Sequence, residues 1–126
     1  MKTILLDTNM LLVPGQLNID IFGEVERVCL FPYTIKILSR TREEIESIIK
    51  TQKGKDKLAA KLALQLIEKL KIEEISSVGH VDKALVIAAK SGAIIVTIDK
   101  GITSELKKMS LPYITVRKKQ HLVFIN

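Results

Sequence analysis

The stretch KTILLDTN, residues 2–9, decides how the rest of the chain is read. Residues 2–6 form a short apolar run, β-branched in part, that suits a buried strand and stops at Asp7, Thr8 and Asn9. A second run, GAIIVTID at 92–99, has the same form: continuous β-branched residues ending on Asp99. Continuous apolar strands of this kind are covered on both faces and belong to parallel sheets.

Working outward from these two runs, helical and extended patterns alternate. Pro14-Gly15 predicts a short loop or single turn after the first strand. Residues 18–29 place Ile21, Phe22, Val25 and Val28 at helical spacing. A strand is expected over 35–38, then a helix over 41–50 with Ile45, Ile48 and Ile49 on one face and Ser39 or Thr41 as cap. The loop-like TQKGKDK (51–57) precedes a row of Leu58, Leu62, Leu66 and Leu70, which reads as the core face of a helix that also carries Ala59, Ala63 and Ile67. Helices over 82–90 and 101–109 and strands over 113–116 and 121–125 complete the pattern. Strands alternating with helices predict a three-layer α/β sandwich around a mostly parallel sheet, built as one domain spanning 1–126.

Composition sets the bounds. At 126 residues, with 47% hydrophobic and 27% charged residues, the chain is globular in character and long enough for a core of its own. The net charge of +6 suits phosphate-rich partners such as nucleic acid, and a Lys-rich solvated surface accounts for it equally. Cys29 is the only cysteine, which excludes an intrachain disulfide and a thiolate zinc cluster. Its apolar setting suits packing. His80 and His121 show no metal-ligand spacing. The N-terminal apolar run is too short for a signal peptide or a membrane span, so a cytoplasmic protein is expected.

The acids carry the chemistry. In parallel α/β sheets ligands gather at the carboxyl ends of strands, which would put Asp7 and Asp99 on one edge. Asp82, opening the helix before the second run, can reach the same edge. Glu44 flanks the apolar face of its helix, whereas Glu43 points away. Such a cluster needs a cation to offset mutual repulsion, and an all-oxygen donor set suits Mg²⁺ or Mn²⁺. A bound ion of this type can activate water for attack on a phosphodiester. The bland alternative is that Asp7, Asp82 and Asp99 are helix N-caps, and that Thr41-Arg42-Glu43-Glu44 is a capping box.

Taken in order, ILLDTNMLL (4–12), REEIESI (42–48) and VDKALVIAAKSGAIIVTIDK (81–100) resemble the PIN domain family over essentially the whole chain. LLVPGQLNIDIF, KGKDKLAAKLAL and VRKKQHLVF are similar to small archaeal members, which are related to VapC-type toxins and to the nuclease of small-subunit ribosomal RNA processing. The resemblance implies an endoribonuclease with Asp7, Glu44, Asp82 and Asp99 as its acidic residues, the three aspartates holding the metal. Thr8, Asn9 and Thr97 would support them by hydrogen bonding. Ile98 and Gly101 depart from the family pattern, and Gly101 weakens a helix start.

RNA would be held by Lys53, Lys55 and Lys57 and by Arg117, Lys118 and Lys119, since phosphate contacts fall to Lys and Arg. The family kinship also implies a homodimer, with an antitoxin as partner in a toxin role or a pre-ribosomal particle in an assembly role. Two rivals stand beside this reading. One is a non-catalytic RNA-binding or ribosome-assembly factor. The other is a receiver-type phosphoryl-transfer domain, disfavoured because Asn9 stands where such sites place a second acid.

Overall fold

A computed structural model describes residues 1–126. In chain order it contains β1 (Lys2–Leu6), α1 (Thr8–Leu17), α2 (Ile21–Val28), β2 (Tyr33–Leu38), α3 (Ser39–Thr51), α4 (Gly54–Lys69) and β3 (Glu73–Ile75). There follow α5 (Val81–Lys90), β4 (Ile94–Val96), α6 (Lys100–Lys108), β5 (Tyr113–Arg117) and β6 (His121–Ile125). No helix is long and apolar enough to cross a membrane.

The six strands form one sheet in the order β3-β2-β1-β4-β5-β6. All neighbours are parallel except β5 and β6, which form an antiparallel hairpin. The chain builds away from β1 in both directions, so β1 and β4 flank the point where strand order reverses. That is where open α/β sheets leave a crevice beyond the carboxyl ends of their strands. The Asp7 N–H donates to the Val96 carbonyl at 3.0 Å, joining the two strand ends at this point.

Alternation along the strands feeds two cores. Ile4, Leu6, Ile37, Ile94 and Val96 face a large core built with α1, α2, α3 and α4. Leu5, Leu38 and Ile95 face a smaller one built with α5 and α6. Each fully buried aliphatic side chain contributes about 1.5–3 kcal/mol relative to exposure. The predicted three-layer sandwich is therefore the fold, with four helices on one face and two on the other.

Several local expectations are corrected. Pro14-Gly15 lies inside α1 rather than in a turn. Gly15 meets α4 so closely that a methyl group there would fall 2.6 Å from the Ala59 Cα. This close packing also overturns the Leu row as core: α4 buries Ala59, Ala60, Ala63 and Ile67, while Leu58, Leu62 and Leu70 are exposed. Small side chains let the helix axes approach, and the longer leucines are turned outward.

The 51–57 loop shrinks to Gln52 and Lys53, because α3 runs on to Thr51 and α4 starts at Gly54. Neither Ser39 nor Thr41 caps α3; its N-cap position is Leu38, with no side-chain bond. Gly101 does not spoil the start of α6. Its missing Cβ leaves room for the Asp99 carboxylate, which would stand 3.0 Å from such an atom. Strand β3 was not expected at all.

Candidate active site

β1 delivers Asp7 to the switch point and α1 starts directly after it, so the carboxylate is caught between two strands and a helix N-terminus. Asp7 is only 3% exposed. Its Oδ1 accepts the Thr8 N–H at 2.7 Å and its Oδ2 accepts the Thr97 hydroxyl at 2.7 Å. Burial pushes the Asp7 carboxyl above its ordinary pKa, the two hydrogen bonds oppose that rise, and the charges of Asp82 and Asp99 add to it.

Thr97, fully buried, continues the β4 line, with its N–H donating to the Ile114 carbonyl of β5. Its hydroxyl donates to Asp7 and accepts the Asp99 N–H at 3.0 Å. One side chain thus sets both strand-end acids relative to each other. Asp99 is half-buried at the N-cap of α6, where Oδ1 accepts the Ile102 N–H at 3.1 Å. Its other oxygen has no partner within the chain.

Glu44 stands one turn into α3, and its Oε1 accepts the Thr8 hydroxyl. Thr41, fully buried, lies with its hydroxyl oxygen 3.4 Å from that of Thr8. The capping-box reading of Thr41 and Glu44 therefore fails: both side chains turn toward α1 rather than to their own helix start. Glu43 instead pairs with Arg40 at 2.9 Å on the surface. Asp82 is exposed in the first turn of α5 and makes no cap bond. Of these three aspartates, Asp7 and Asp99 cap a helix and Asp82 does not.

These elements enclose an open cleft of about 540 Å³ whose wall includes Asp7, Glu44, Asp82, Asp99, Thr8 and Asn9. Ser47, Ile48, Thr51 and Gln52 extend it along α3. Ser47, Thr51 and Gln52 escape a reading of the sequence because neutral polar residues carry no chemical signature singly. The signal lay in their spacing: 44, 47, 48 and 51 share one helical face. No Lys or Arg lines the cleft. Lys53 precedes α4, Lys55 and Lys57 stand in its first turn, and Arg117, Lys118 and Lys119 lie on the β5–β6 hairpin; none of the six lines the cleft. His80 and His121 lie outside it. Cys29 is buried, which raises its thiol pKa, as packing predicts.

A larger cavity of about 710 Å³ lies elsewhere, against β2, with Phe22, Tyr33, Ile35, Leu66, Leu70 and Ile72 in its wall. Asp20, Glu26, Lys69, Lys71 and Glu73 also line it, but none of the strand-end acids does, so size does not mark the site.

The cleft suits a hard cation. Its donors are oxygens of carboxylates, hydroxyls and amides, and the buried Asp7 charge calls for a positive neighbour. No three of the acidic side chains are drawn together into a ready-made cage.

Comparisons with known proteins bear on the family and the fold. The profile of the "PIN like domain" family matches residues 4–119. Ribonuclease VapC4 of Methanocaldococcus jannaschii is 34% identical over 125 residues, covering 96% of this chain and 95% of the relative. Ribonuclease VapC9 of Archaeoglobus fulgidus is 31% identical over 107 residues, covering 84% and 76% respectively. Among solved structures, the PIN domain endonuclease Utp24 superposes with a TM-score of 0.75 at 16% identity, covering 97% of this chain and 90% of that one. This last likeness concerns the fold.

Proposed function

Because the chain belongs to the PIN-like domain family, we propose that it is a metal-dependent endoribonuclease acting through the acidic cleft. The observation that carries this reading is the placement of Asp7, Glu44, Asp82 and Asp99 on one cleft at the switch point of the sheet. The ribonuclease names of its relatives support RNA as substrate.

Asp7, Asp82 and Asp99 would hold Mg²⁺ or Mn²⁺, which supplies a nucleophilic water at neutral pH and offsets charge developing on the leaving oxygen. The remaining work falls to the chain itself. Thr97 holds Asp7 and the Asp99 backbone in register, and its hydrogen bond opposes the rise in the Asp7 pKa that burial causes. Thr8 fixes the Glu44 carboxylate, placing a proton acceptor on the opposite wall. Asn9 adds a neutral amide beside them.

The absence of Lys and Arg from the cleft divides the labour, with phosphate contacts made at its margins. Arg117 ends β5 on the same sheet edge as Asp7, since β5 is parallel to β4 and β4 to β1. Lys118 and Lys119 follow with φ of 55° and 53°. That left-handed pair is what a tight hairpin turn between β5 and β6 requires, and it presents both lysines at the tip of the hairpin. Lys53, Lys55 and Lys57 would serve the other flank. A VapC-type role further calls for an antitoxin and a homodimer, and an assembly role for a pre-ribosomal particle.

The test is incubation of the purified protein with structured RNA in Mn²⁺, Mg²⁺ or EDTA, beside an Asp7→Asn variant checked for folding by circular dichroism. Cleavage that requires the metal and is lost in the variant is expected. Salt-sensitive RNA binding without cleavage would instead identify a non-catalytic binding factor.

A further inference from the structure

Three of the cleft acids are fixed by a side-chain contact and the fourth is not. Thr97 ties Asp7 to the Asp99 backbone, and Glu44 accepts the Thr8 hydroxyl. Asp82 is exposed in the first turn of α5, and His80, at the N-cap position of that helix, supplies no side-chain bond either. Where Asp82 stands in the cleft therefore depends on how the start of α5 is held. Burial of Val81 and Leu85 sets the depth of the helix against the sheet, but apolar packing has no direction. Directional contacts come instead from α3, and they reach the segment that leads into α5.

β2 and β3 run parallel and end level, with Leu38 opposite Ile75. Beyond that pair β2 turns into α3 and β3 leaves for α5, and two serines carry the pairing on. The Ser77 N–H donates to the Ser39 Oγ at 2.9 Å, and the Ser39 hydroxyl donates to the Ser77 carbonyl at 3.3 Å. In return the Ser77 Oγ accepts the Arg40 N–H at 3.3 Å. Leu38 gives α3 no side-chain cap, so Ser77 serves the helix start from a separate segment. Arg40 adds a further tie, its Nε donating to the Gly79 carbonyl at 3.3 Å. Both serines are half-buried, where hydrogen bonds meet less competition from water. The segments joined in this way lead directly into Glu44 and Asp82, which both line the cleft.

We propose that Ser39 and Ser77 are positioning residues for the metal site, their clasp fixing the start of α5 against the start of α3 and so setting Asp82 relative to Glu44. This rests on the metal-dependent reading of the cleft. Neither serine lines the cleft, so both act through the helices they hold.

The experiment measures Mn²⁺ binding to the full chain by isothermal titration calorimetry, with no RNA present. The proteins are the wild type, Ser39→Ala, Ser39→Thr, Asp82→Asn and the Ser39→Ala/Asp82→Asn double variant. Ser39→Ala is expected to weaken Mn²⁺ binding by about tenfold, as loss of an orienting partner does, and Ser39→Thr, which keeps the hydroxyl, to restore it. In the Asp82→Asn background Ser39→Ala should bring no further loss, because the carboxylate that the clasp positions is gone. A purely structural role would lower the melting temperature in both backgrounds and leave no such difference in affinity. Ser77→Ala spares the Ser39 contacts to the Ser77 backbone, so it should give a smaller loss of the same kind. It takes the place of Ser39→Ala if that variant does not fold.

Unchanged Mn²⁺ affinity in the serine variants, or an equal loss with and without the Asp82 carboxylate, overturns the clasp and leaves the metal reading intact. A wild type that binds no Mn²⁺, or an Asp82→Asn variant that binds it as tightly as the wild type, fails one step earlier. Either result removes Asp82 as a metal-holding group, and the positioning role of the serines goes with it.

Discussion

Asp7 and Asp99 end two neighbouring parallel strands and cap the helices that follow, yet they sit in different surroundings. Asp7 is buried, both of its oxygens accept hydrogen bonds, and its pKa is raised. Asp99 is half-buried, gives one oxygen to the α6 N-terminus and leaves the other free. The same strand-acid-helix grammar thus produces one buried carboxylate that is costly to ionise and one half-buried carboxylate with an oxygen left free. The costly one is the better marker of function, because capping alone does not require burial. An exposed Asp at that turn would cap as well.

The largest effect should come from the buried member. Asp7→Asn is expected to lower RNA cleavage by about 10²–10³-fold or more, the scale of losing a main source of transition-state stabilisation. The same variant tests the burial argument through stability. A raised folded-state pKa means that the folded protein holds the Asp7 proton more tightly than the unfolded chain does. Its stabilising contribution is therefore present at acid pH and is lost as pH rises through the folded pKa. In metal-free protein, the wild type should lose melting temperature relative to Asp7→Asn on going from acid to neutral pH. Parallel pH curves for the two proteins would show that burial of Asp7 carries no electrostatic cost.

Thr97→Val sharpens the comparison from the side chain that joins the two acids. Cleavage should fall by about 10–100-fold, as when a group orienting metal ligands is removed. Stability should fall by about 1–3 kcal/mol in denaturant titration, because a buried Asp7 oxygen and the Asp99 N–H lose their partner. Equal kinetics in wild type and variant would make Thr97 a packing residue.

Asp99 allows its two roles to be separated. Asp99→Asn keeps a good N-cap and removes the charge, whereas Asp99→Ala removes both. Both should depress cleavage, and only the alanine variant should lose stability, by about 1 kcal/mol. Equal stability in the two variants would end the capping account. The smallest change is expected far from both acids: Lys118→Gly should alter stability by only about 0.5 kcal/mol, as relief of left-handed strain is offset by glycine's backbone entropy. It should weaken RNA binding by more than it alters folding.

The central strands and the placement of the acids were legible because each signal is local. An apolar run that stops at Asp can be read without knowing its neighbours, and parallel topology then puts Asp7 and Asp99 on one edge. What depended on partners was misread. The leucines at 58, 62 and 70 repeat perfectly, but the depth at which α4 sits is set by Gly15 on α1, so the alanines are buried instead. Strand β3 is three residues, Glu-Glu-Ile, with exposed acids on a sheet edge, and it offers neither alternation nor an apolar run. Thr41 and Glu44 fit a capping box in sequence, yet Thr8 from another helix recruits both.

The switch-point arrangement also bears on timing. The cleft draws on Asp7 from the first strand and Asp99 from a segment more than two-thirds of the way along the chain, and β4 can dock only after β2, β3 and their helices have been made. Contacts so distant in sequence form late, since the intervening loop must first be closed. During synthesis the growing chain would hold Asp7 without Thr97 or Asp99, and so without the partners that set its geometry. On the proposed nuclease reading, a site assembled in this way stays inert while it is being made, and completes itself only when nearly the whole protein has folded around it.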